Sequence, residues 1–110
     1  MDLGNHNVKF ALGGQSFVWD SKKYDINFAK HNITFEEAAS VFLDPMTIYR
    51  PDDEHSDDEE REIVIGFSNT ARILFVCSCE REYGDIIRII SARKATTNEI
   101  AEWRNENDDH

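Results

Sequence analysis

Three cationic residues in one late stretch of the chain could do chemistry together. Residues 85–96 read Asp-Ile-Ile-Arg-Ile-Ile-Ser-Ala-Arg-Lys-Ala-Thr, so Arg88 interrupts an apolar run and Arg93 and Lys94 follow it. A guanidinium whose stem is desolvated needs an anionic partner. Its planar, permanently charged fork suits the oxygens of a carboxylate or a phosphate. The partner of Arg88 is therefore either a carboxylate of the protein itself or an anionic group of a ligand.

The elements around this stretch indicate how the cations are positioned. Isoleucines are stiff at χ1 and pack well on a pleated surface, so the run predicts a strand near the centre of a sheet. Before it, the pattern predicts a helix from Asp20 to about Lys30 with Tyr24 and Phe28 on its buried stripe, and a second helix after Thr34. Strands then follow at 46–49, 61–68 and 71–80, and a last helix opens at a capping box formed by Thr96 and Glu99.

This order predicts an α+β fold. Strands joined by short turns pair antiparallel, which gives an antiparallel sheet of three to five strands. Two N-terminal helices pack on one face, a C-terminal helix closes the chain, and the opposite face remains as a concave surface floored by Arg88. Residues 1–110 form a single domain, in which 1–15 is either an extra hairpin turning at Gly13-Gly14 or a disordered lead-in.

Composition and charge narrow the classes further. The chain has 40% hydrophobic residues, which is typical of a folded globular protein, and no apolar run long enough to span a bilayer, so we expect no membrane partner. Cys77 and Cys79 are its two cysteines and are poorly placed to bond each other, which favours a reducing cytoplasm. The net charge of −10 argues against a broadly basic nucleic-acid surface.

Most of the negative charge is local. Eight acidic residues and one arginine lie between Asp52 and Glu62, a local charge of −7, so a cationic site elsewhere stays possible. A calcium loop needs a glycine that this run lacks, and a zinc site needs more than the single His55. We therefore expect a solvated acidic loop, no metal site and no cofactor.

Four pieces of the chain, taken in order, resemble one family. They are Phe17-Val18-Trp19-Asp20; Lys30-His31 leading to Phe35-Glu36-Glu37-Ala38-Ala39, Val41-Phe42 and Asp44-Pro45; His55-Ser56-Asp57 leading to Glu60-Arg61; and the stretch from Arg88 to Thr96. Together they resemble the BrnT toxins of type II toxin–antitoxin pairs. The resemblance implies a small RelE-like fold, a ribonuclease that arrests translation, and neutralisation by a DNA-binding antitoxin of the ribbon-helix-helix type in a hetero-oligomer.

Metal-independent cleavage of RNA needs cations around the phosphorus, a base and an acid. Arg88 and Arg93 suit the phosphate oxygens, and Lys94 could hold a flanking phosphate or share the proton transfer. Histidine titrates near neutral pH, which suits His31 and His55. We place His31 with the three cations in the catalytic set.

The substrate-binding set comprises Lys30, Arg61 and Ser91. Two of the site predictions have alternatives. His31 of the catalytic set could instead cap the first helix, and Arg61 of the substrate-binding set could instead pair with the acidic loop. The alternative function is a non-catalytic interaction module whose late cationic strand binds an acidic protein partner.

Overall fold

One mixed sheet with three helices makes up the part of the chain that the computed structural model describes, residues 6–55 and 59–108. In chain order the elements are β1 (Asn7–Leu12), β2 (Gln15–Asp20), α1 (Ser21–His31), α2 (Phe35–Ser40), a 3-10 turn (Val41–Leu43), β3 (Ile48–Pro51), β4 (Glu62–Phe67), β5 (Ile73–Arg81), a second 3-10 turn (Glu82–Gly84), β6 (Ile86–Lys94) and α3 (Thr97–Asp108). No helix of these residues is both long and apolar enough to cross a membrane.

The sheet is larger than predicted and is not wholly antiparallel. Its six strands run in the order β1-β2-β6-β5-β4-β3. All neighbours pair antiparallel except β2 and β6, which run parallel through residues 16–18 and 86–88. The prediction of three to five antiparallel strands was wrong because the N-terminal hairpin contributes two further strands, and it enters the sheet beside the last strand of the chain.

The N-terminal hairpin settles the two interpretations of the lead-in. Asn7 pairs with Asp20 and Leu12 with Gln15, across a turn in which Gly13 and Gly14 have φ of 59° and 79°. Both values lie in the left-handed region that glycine adopts without strain, as a two-residue primed turn requires. Of the two interpretations of the lead-in, residues 7–20 form the hairpin, and 1–5 lie outside the described residues.

Helix α1 begins after its predicted cap, Asp20, and ends at His31, one residue beyond the predicted end. The Asp20 carboxylate accepts hydrogen bonds from the backbone N–H groups of Lys22 and Lys23, and Asn32 follows the last turn with φ of 57°. Its buried stripe differs from the prediction, because Phe28 is 45% exposed. The inner position belongs to Asn27, which is buried.

Asn27 joins α1 to the edge of β6. Its side-chain nitrogen donates to the carbonyl of Ala92 at 2.9 Å, and its oxygen accepts from the N–H of Ala92 at 3.0 Å. The amide therefore replaces a neighbouring strand at a point where β2 no longer pairs with β6. This contact fixes α1 beside the C-terminal half of β6.

The two faces of the sheet are covered by different helices. Helices α1 and α2 enclose the larger core, whose biggest fully buried side chains include Trp19, Phe17 and Phe35. On the other face α3 covers only one end of the sheet, where Trp103 packs with Ile63 and Ile65. The rest of that second face is the surface on which the sequence placed Arg88.

A buried carboxylate joins α2 to the turn between β4 and β5. Thr34, after which the second helix was predicted, caps α2 by accepting from the N–H of Glu37. The Glu37 side chain is engaged elsewhere. It accepts hydrogen bonds from Ser68 and from Thr70 and forms an ion pair of 2.6 Å with Arg72. The Arg72 guanidinium lowers the pKa of Glu37 to about 2.

Candidate functional site

Arg88 projects from the face of the sheet opposite α1 and α2. Its neighbours Ile87 and Ile89 belong to the core under those helices, and successive side chains of a strand point to opposite faces. Across the sheet it lies between Val18 of β2 and Cys79 of β5. Arg88 is partly buried, and no hydrogen bond or ion pair joins its guanidinium to any described residue. The interpretation that it pairs with a carboxylate of the protein finds no partner in 6–55 or 59–108.

Arg93 lies on the same face but is occupied. Its two terminal nitrogens donate to both Glu99 oxygens at 2.8 and 2.9 Å, and its guanidinium carbon lies 4.0 Å from the centre of the Phe75 ring. Glu99 also accepts from the N–H of Thr96, so the predicted capping box is confirmed and shares its carboxylate with Arg93. This ion pair raises the pKa of Arg93 and fixes the guanidinium at the start of α3.

Two further arginines of this face are held by carboxylates. Arg50 pairs with Glu102 of α3 at 2.8 Å, and Arg81 pairs with Glu59 of the acidic loop at 2.6 Å. All four of these side chains are substantially exposed, so each pair neutralises charge more than it stabilises the fold. A cavity of about 830 Å³ opens beside them, where the segment before β4 diverges from the end of β5, and its lining mixes these arginines with acidic residues.

The acidic loop is only partly a solvated segment. Asp52 is buried, and its two oxygens lie 3.2 and 3.1 Å from Nδ1 of His55. The Cys77 thiol donates to the same carboxylate at 3.6 Å, and the backbone N–H of Asp52 donates to the carbonyl of Arg61. Burial and the Asp52 charge raise the pKa of Cys77 to about 11, so this thiol stays neutral. The loop thus folds back over β5 on the second face, and 56–58 of its predicted range lie outside the described residues.

The other predicted site residues do not converge on Arg88. Lys30, His31 and Ser91 line a shallow pocket of about 170 Å³ at the edge of β6, together with Lys23 and other residues of α1. Ser91 also lies opposite Cys77 in the sheet, so it borders both this pocket and the second face.

Lys94 and Arg61 complete the set. Lys94 is exposed and lies opposite Leu74, a core residue, so its side chain leaves the sheet on the other face from Arg93. Arg61 follows the acidic loop and lies close enough to Cys77 to act on the pKa of its thiol. Among the described residues, no three His, Cys, Asp or Glu side chains are grouped closely enough to hold a metal ion.

The structure therefore adds two residues to the predicted site and separates several of the predicted ones from Arg88. On or bordering the second face lie Arg88, Arg61 and Ser91, together with Asp52 and His55, which were not in the predicted site. Their signal was the spacing Asp-x-x-His, which suits a turn that joins the two side chains. It was obscured by the other acidic residues of the loop.

Comparison with known proteins addresses the family directly. A family profile described as "Ribonuclease toxin, BrnT, of type II toxin-antitoxin system" matches residues 19–99. The chain belongs to this family. The resemblance seen in the sequence is confirmed, and the match contains β6 with its cations, the acidic loop and both N-terminal helices.

A solved structure of the BrnT family has the same fold. The 1.1 Å crystal structure of the Brucella abortus ribonuclease toxin BrnT aligns with a TM-score of 0.55 at 23% identity, covering 72% of this chain and 94% of that one. At this identity the likeness supports the α+β fold alone. No curated protein matches the chain.

Proposed function

We propose that this BrnT-family chain is a metal-independent endoribonuclease that cleaves RNA and thereby inhibits translation, acting in the cytoplasm. One observation carries the proposal: Arg88 is held in the sheet with no carboxylate partner among the described residues. A partly buried guanidinium without an anion leaves a fork that fits the non-bridging oxygens of a phosphate. Family membership supplies the reaction class, since the family is named for a ribonuclease toxin.

The overall charge of −10 is compatible with this proposal because the site is local. Arg50, Arg81 and Arg93 are each paired with a glutamate, so the second face does not present a broad positive field. RNA would gain few long-range contacts, and its affinity would depend only weakly on salt. Recognition would rest on the phosphate at Arg88 and on neighbouring groups such as Ser91 and Arg61.

The cleavage route that needs no metal starts from the ribose 2′-hydroxyl. The 2′-oxygen bonds to phosphorus and the bond from phosphorus to the 5′-oxygen breaks, which leaves a 2′,3′-cyclic phosphate and a 5′-hydroxyl. Arg88 stabilises the charge that develops on the non-bridging oxygens.

The test is induction of the gene in a bacterial host, followed by growth measurement and mapping of RNA ends. We expect growth arrest and new fragments with 5′-hydroxyl ends, which the Arg88→Ala protein fails to produce. New ends carrying 5′-phosphate would point to a metal-dependent route. Normal growth with intact RNA would favour the non-catalytic interaction module.

The same surface offers a means of neutralisation. We propose that a DNA-binding antitoxin of the ribbon-helix-helix type lays a segment with Asp or Glu across the second face, so that a carboxylate takes the place of phosphate at Arg88. Such an interface would bury at least roughly 1,000 Å² and combine apolar contacts with desolvated charge pairs.

Salt distinguishes this mode of binding from surface attraction. The affinity for the product of the neighbouring gene is measured at about 0.1 and 0.5 M salt. It should weaken only modestly at the higher salt, because charge pairs in the dry core of the interface are screened little, whereas attraction between exposed charges would be lost. Full binding by an Arg88→Ala, Arg93→Ala, Lys94→Ala triple variant would show that neutralisation does not use this strand.

A further inference from the structure

The second face contains a histidine and a buried carboxylate in direct contact. Nδ1 of His55 lies within 3.2 Å of both Asp52 oxygens, while the His55 side chain is 61% exposed and that of Asp52 only 9%. A carboxylate accepts hydrogen bonds, so the contact places a proton on Nδ1 and leaves Nε2 as the free acceptor of the neutral ring. Nε2 makes no hydrogen bond to any described residue.

The dyad lies next to the residues that would hold phosphate. Asp52 accepts from Cys77 of β5, and Cys77 lies directly opposite Ser91 of β6. Two residues further along β5, on the same face, Cys79 lies opposite Arg88. Because neighbouring strands are about 4.8 Å apart, the dyad is one strand away from the part of β6 that carries Arg88.

The alternative histidine lacks these features. His31 is the exposed last residue of α1, and no hydrogen bond orients its ring within the described part of the chain. It lines the pocket at the edge of β6, whose lining does not include Arg88. A base must be oriented toward the proton that it removes, and of these two histidines His55 has a described carboxylate, Asp52, in contact with its ring.

We propose that His55 is the general base of the proposed RNA cleavage and that Asp52 is its positioning residue. Neutral His55 accepts the proton of the 2′-hydroxyl at Nε2 as the 2′-oxygen bonds to phosphorus. The bond from phosphorus to the 5′-oxygen breaks, its electron pair stays on that oxygen, and a proton from water completes the 5′-hydroxyl. The imidazolium then returns its proton to solvent, so the step needs no co-reactant beyond water.

The dyad is suited to this role because its surroundings hold the ring without blocking it. Among the described residues, Asp52 contacts the ring, Cys77 of β5 donates to Asp52, and Arg61 before β4 acts on the Cys77 thiol. The Asp52 carboxylate orients the ring through Nδ1. Cys77 is a neutral thiol and does not compete as a nucleophile.

The test is single-turnover cleavage of a defined messenger RNA, free and in pre-assembled ribosome complexes, by purified variants whose thermal melting is checked first. His55 is exposed, so His55→Ala should fold normally and lose about 100-fold or more in rate. His6→Ala is the matched control and should cleave like the unaltered protein. Normal cleavage by folded His55→Ala would overturn the inference, and a loss confined to His31→Ala would give the role to His31.

Asp52→Asn tests positioning through the split between the maximal single-turnover rate and the RNA concentration that gives half of it. The maximal rate should fall by about tenfold or more, because the His55 ring loses the carboxylate that orients it, while the half-saturating RNA concentration stays near that of the unaltered protein. A folded Asp52→Asn protein that keeps the maximal rate, or whose change is confined to the half-saturating concentration, would overturn the assignment.

This inference rests on the proposed ribonuclease activity, and the two fail differently. If the unaltered protein gives no fragments with 5′-hydroxyl ends in either form of the substrate, the proposed function fails and the assignment of His55 fails with it. If the unaltered protein cleaves and His55→Ala cleaves equally fast, the function stands and only the His55 assignment is lost.

Discussion

Arg72 and Arg88 have the same side chain in two very different settings. Arg72 donates two hydrogen bonds to Glu37, which is almost fully buried and also accepts from Ser68 and Thr70. Arg88 is partly buried on the second face and has no such partner among the described residues. The difference teaches that an arginine with a carboxylate of its own stabilises the fold, whereas one held by the sheet without a carboxylate is available to bind an anion.

The largest effect should come from Arg88. Arg88→Ala should lower the rate of RNA cleavage by about 100-fold or more, because one donor to the developing charge is removed. Its melting temperature should change little, since no carboxylate of the described chain loses a partner. Arg88→Lys is the matched variant, and it should recover part of the rate because it restores charge without the fork. A folded Arg88→Ala protein with normal cleavage would show that Arg88 does not bind the reacting phosphate, and the contrast with Arg72 would then have no functional meaning.

The Glu37 cluster should show the opposite behaviour. Glu37→Gln should lower the free energy of unfolding by about 3 kcal/mol at neutral pH, because it breaks a buried ion pair and leaves Arg72 without its anion. Any protein that remains folded should cleave RNA at the normal rate. Glu106→Gln, an exposed change on α3 with the same loss of charge, is the control and should have little effect.

The pH dependence gives the Glu37 prediction a sign. Its folded-state pKa is lowered to about 2 by Arg72, so its contribution is fully present above the unfolded value of about 4.3 and is lost as pH falls through about 2. The stability difference between the unaltered protein and Glu37→Gln should therefore shrink between about pH 4 and pH 2 in chemical denaturation. A difference that stays constant over this range would show that the carboxylate charge is not what stabilises the cluster.

Arg93→Ala should affect both the cleavage rate and the stability, each less than the changes at Arg88 and Glu37 do. It faces the same side as Arg88 but donates to both oxygens of Glu99, so part of its charge is already neutralised. We expect Arg93→Ala to lower cleavage by about tenfold, less than a fully available donor would contribute. It should also lower stability by about 1 kcal/mol, because the ion pair is partly exposed. If Arg93→Ala were as damaging as Arg88→Ala, then the Glu99 pair would have to open when RNA binds.

The smallest effect should come from the acidic loop. Glu59→Gln frees Arg81 and should strengthen RNA binding by about two- to threefold, as expected for an exposed pair. Binding is measured with an RNA whose 2′-hydroxyls are methylated, so that cleavage does not interfere. Glu106→Gln changes the net charge equally and should leave the affinity unchanged. Equal gains in the two variants would show that only overall charge matters.

Much of the fold follows from local patterns in the sequence. The caps at Asp20 and Thr96 depend on residues that are close in the chain, and both were predicted, while the turn at Gly13-Gly14 was one of two interpretations of the lead-in. The parallel pairing of β2 with β6 was missed, because it joins residues about 70 positions apart and no local signal specifies which strand receives the hairpin. Phe28 was misplaced because a tertiary contact, the bonds of Asn27 to Ala92, decides which side of α1 faces inward.

The candidate site likewise has features that the sequence predicts and features that depend on tertiary contacts. Arg88 lies on the face opposite the two N-terminal helices, as predicted, because its strand neighbours Ile87 and Ile89 belong to the core under them. That Arg93 is held by Glu99 depends on how α3 packs, and that His55 is held by Asp52 depends on how the acidic loop folds back. Neither contact has a periodic pattern, and composition favoured a solvated loop.

The parallel pairing of β2 with β6 also affects when the core can close during synthesis. The hairpin is made first, but its partner strand is the last strand to leave the ribosome. Until then the core under α1 and α2 lacks Ile87, Ile89 and Ala92, and pairing over such a separation is slow. A nascent chain in which β6 is not yet available therefore lacks a closed core under α1 and α2.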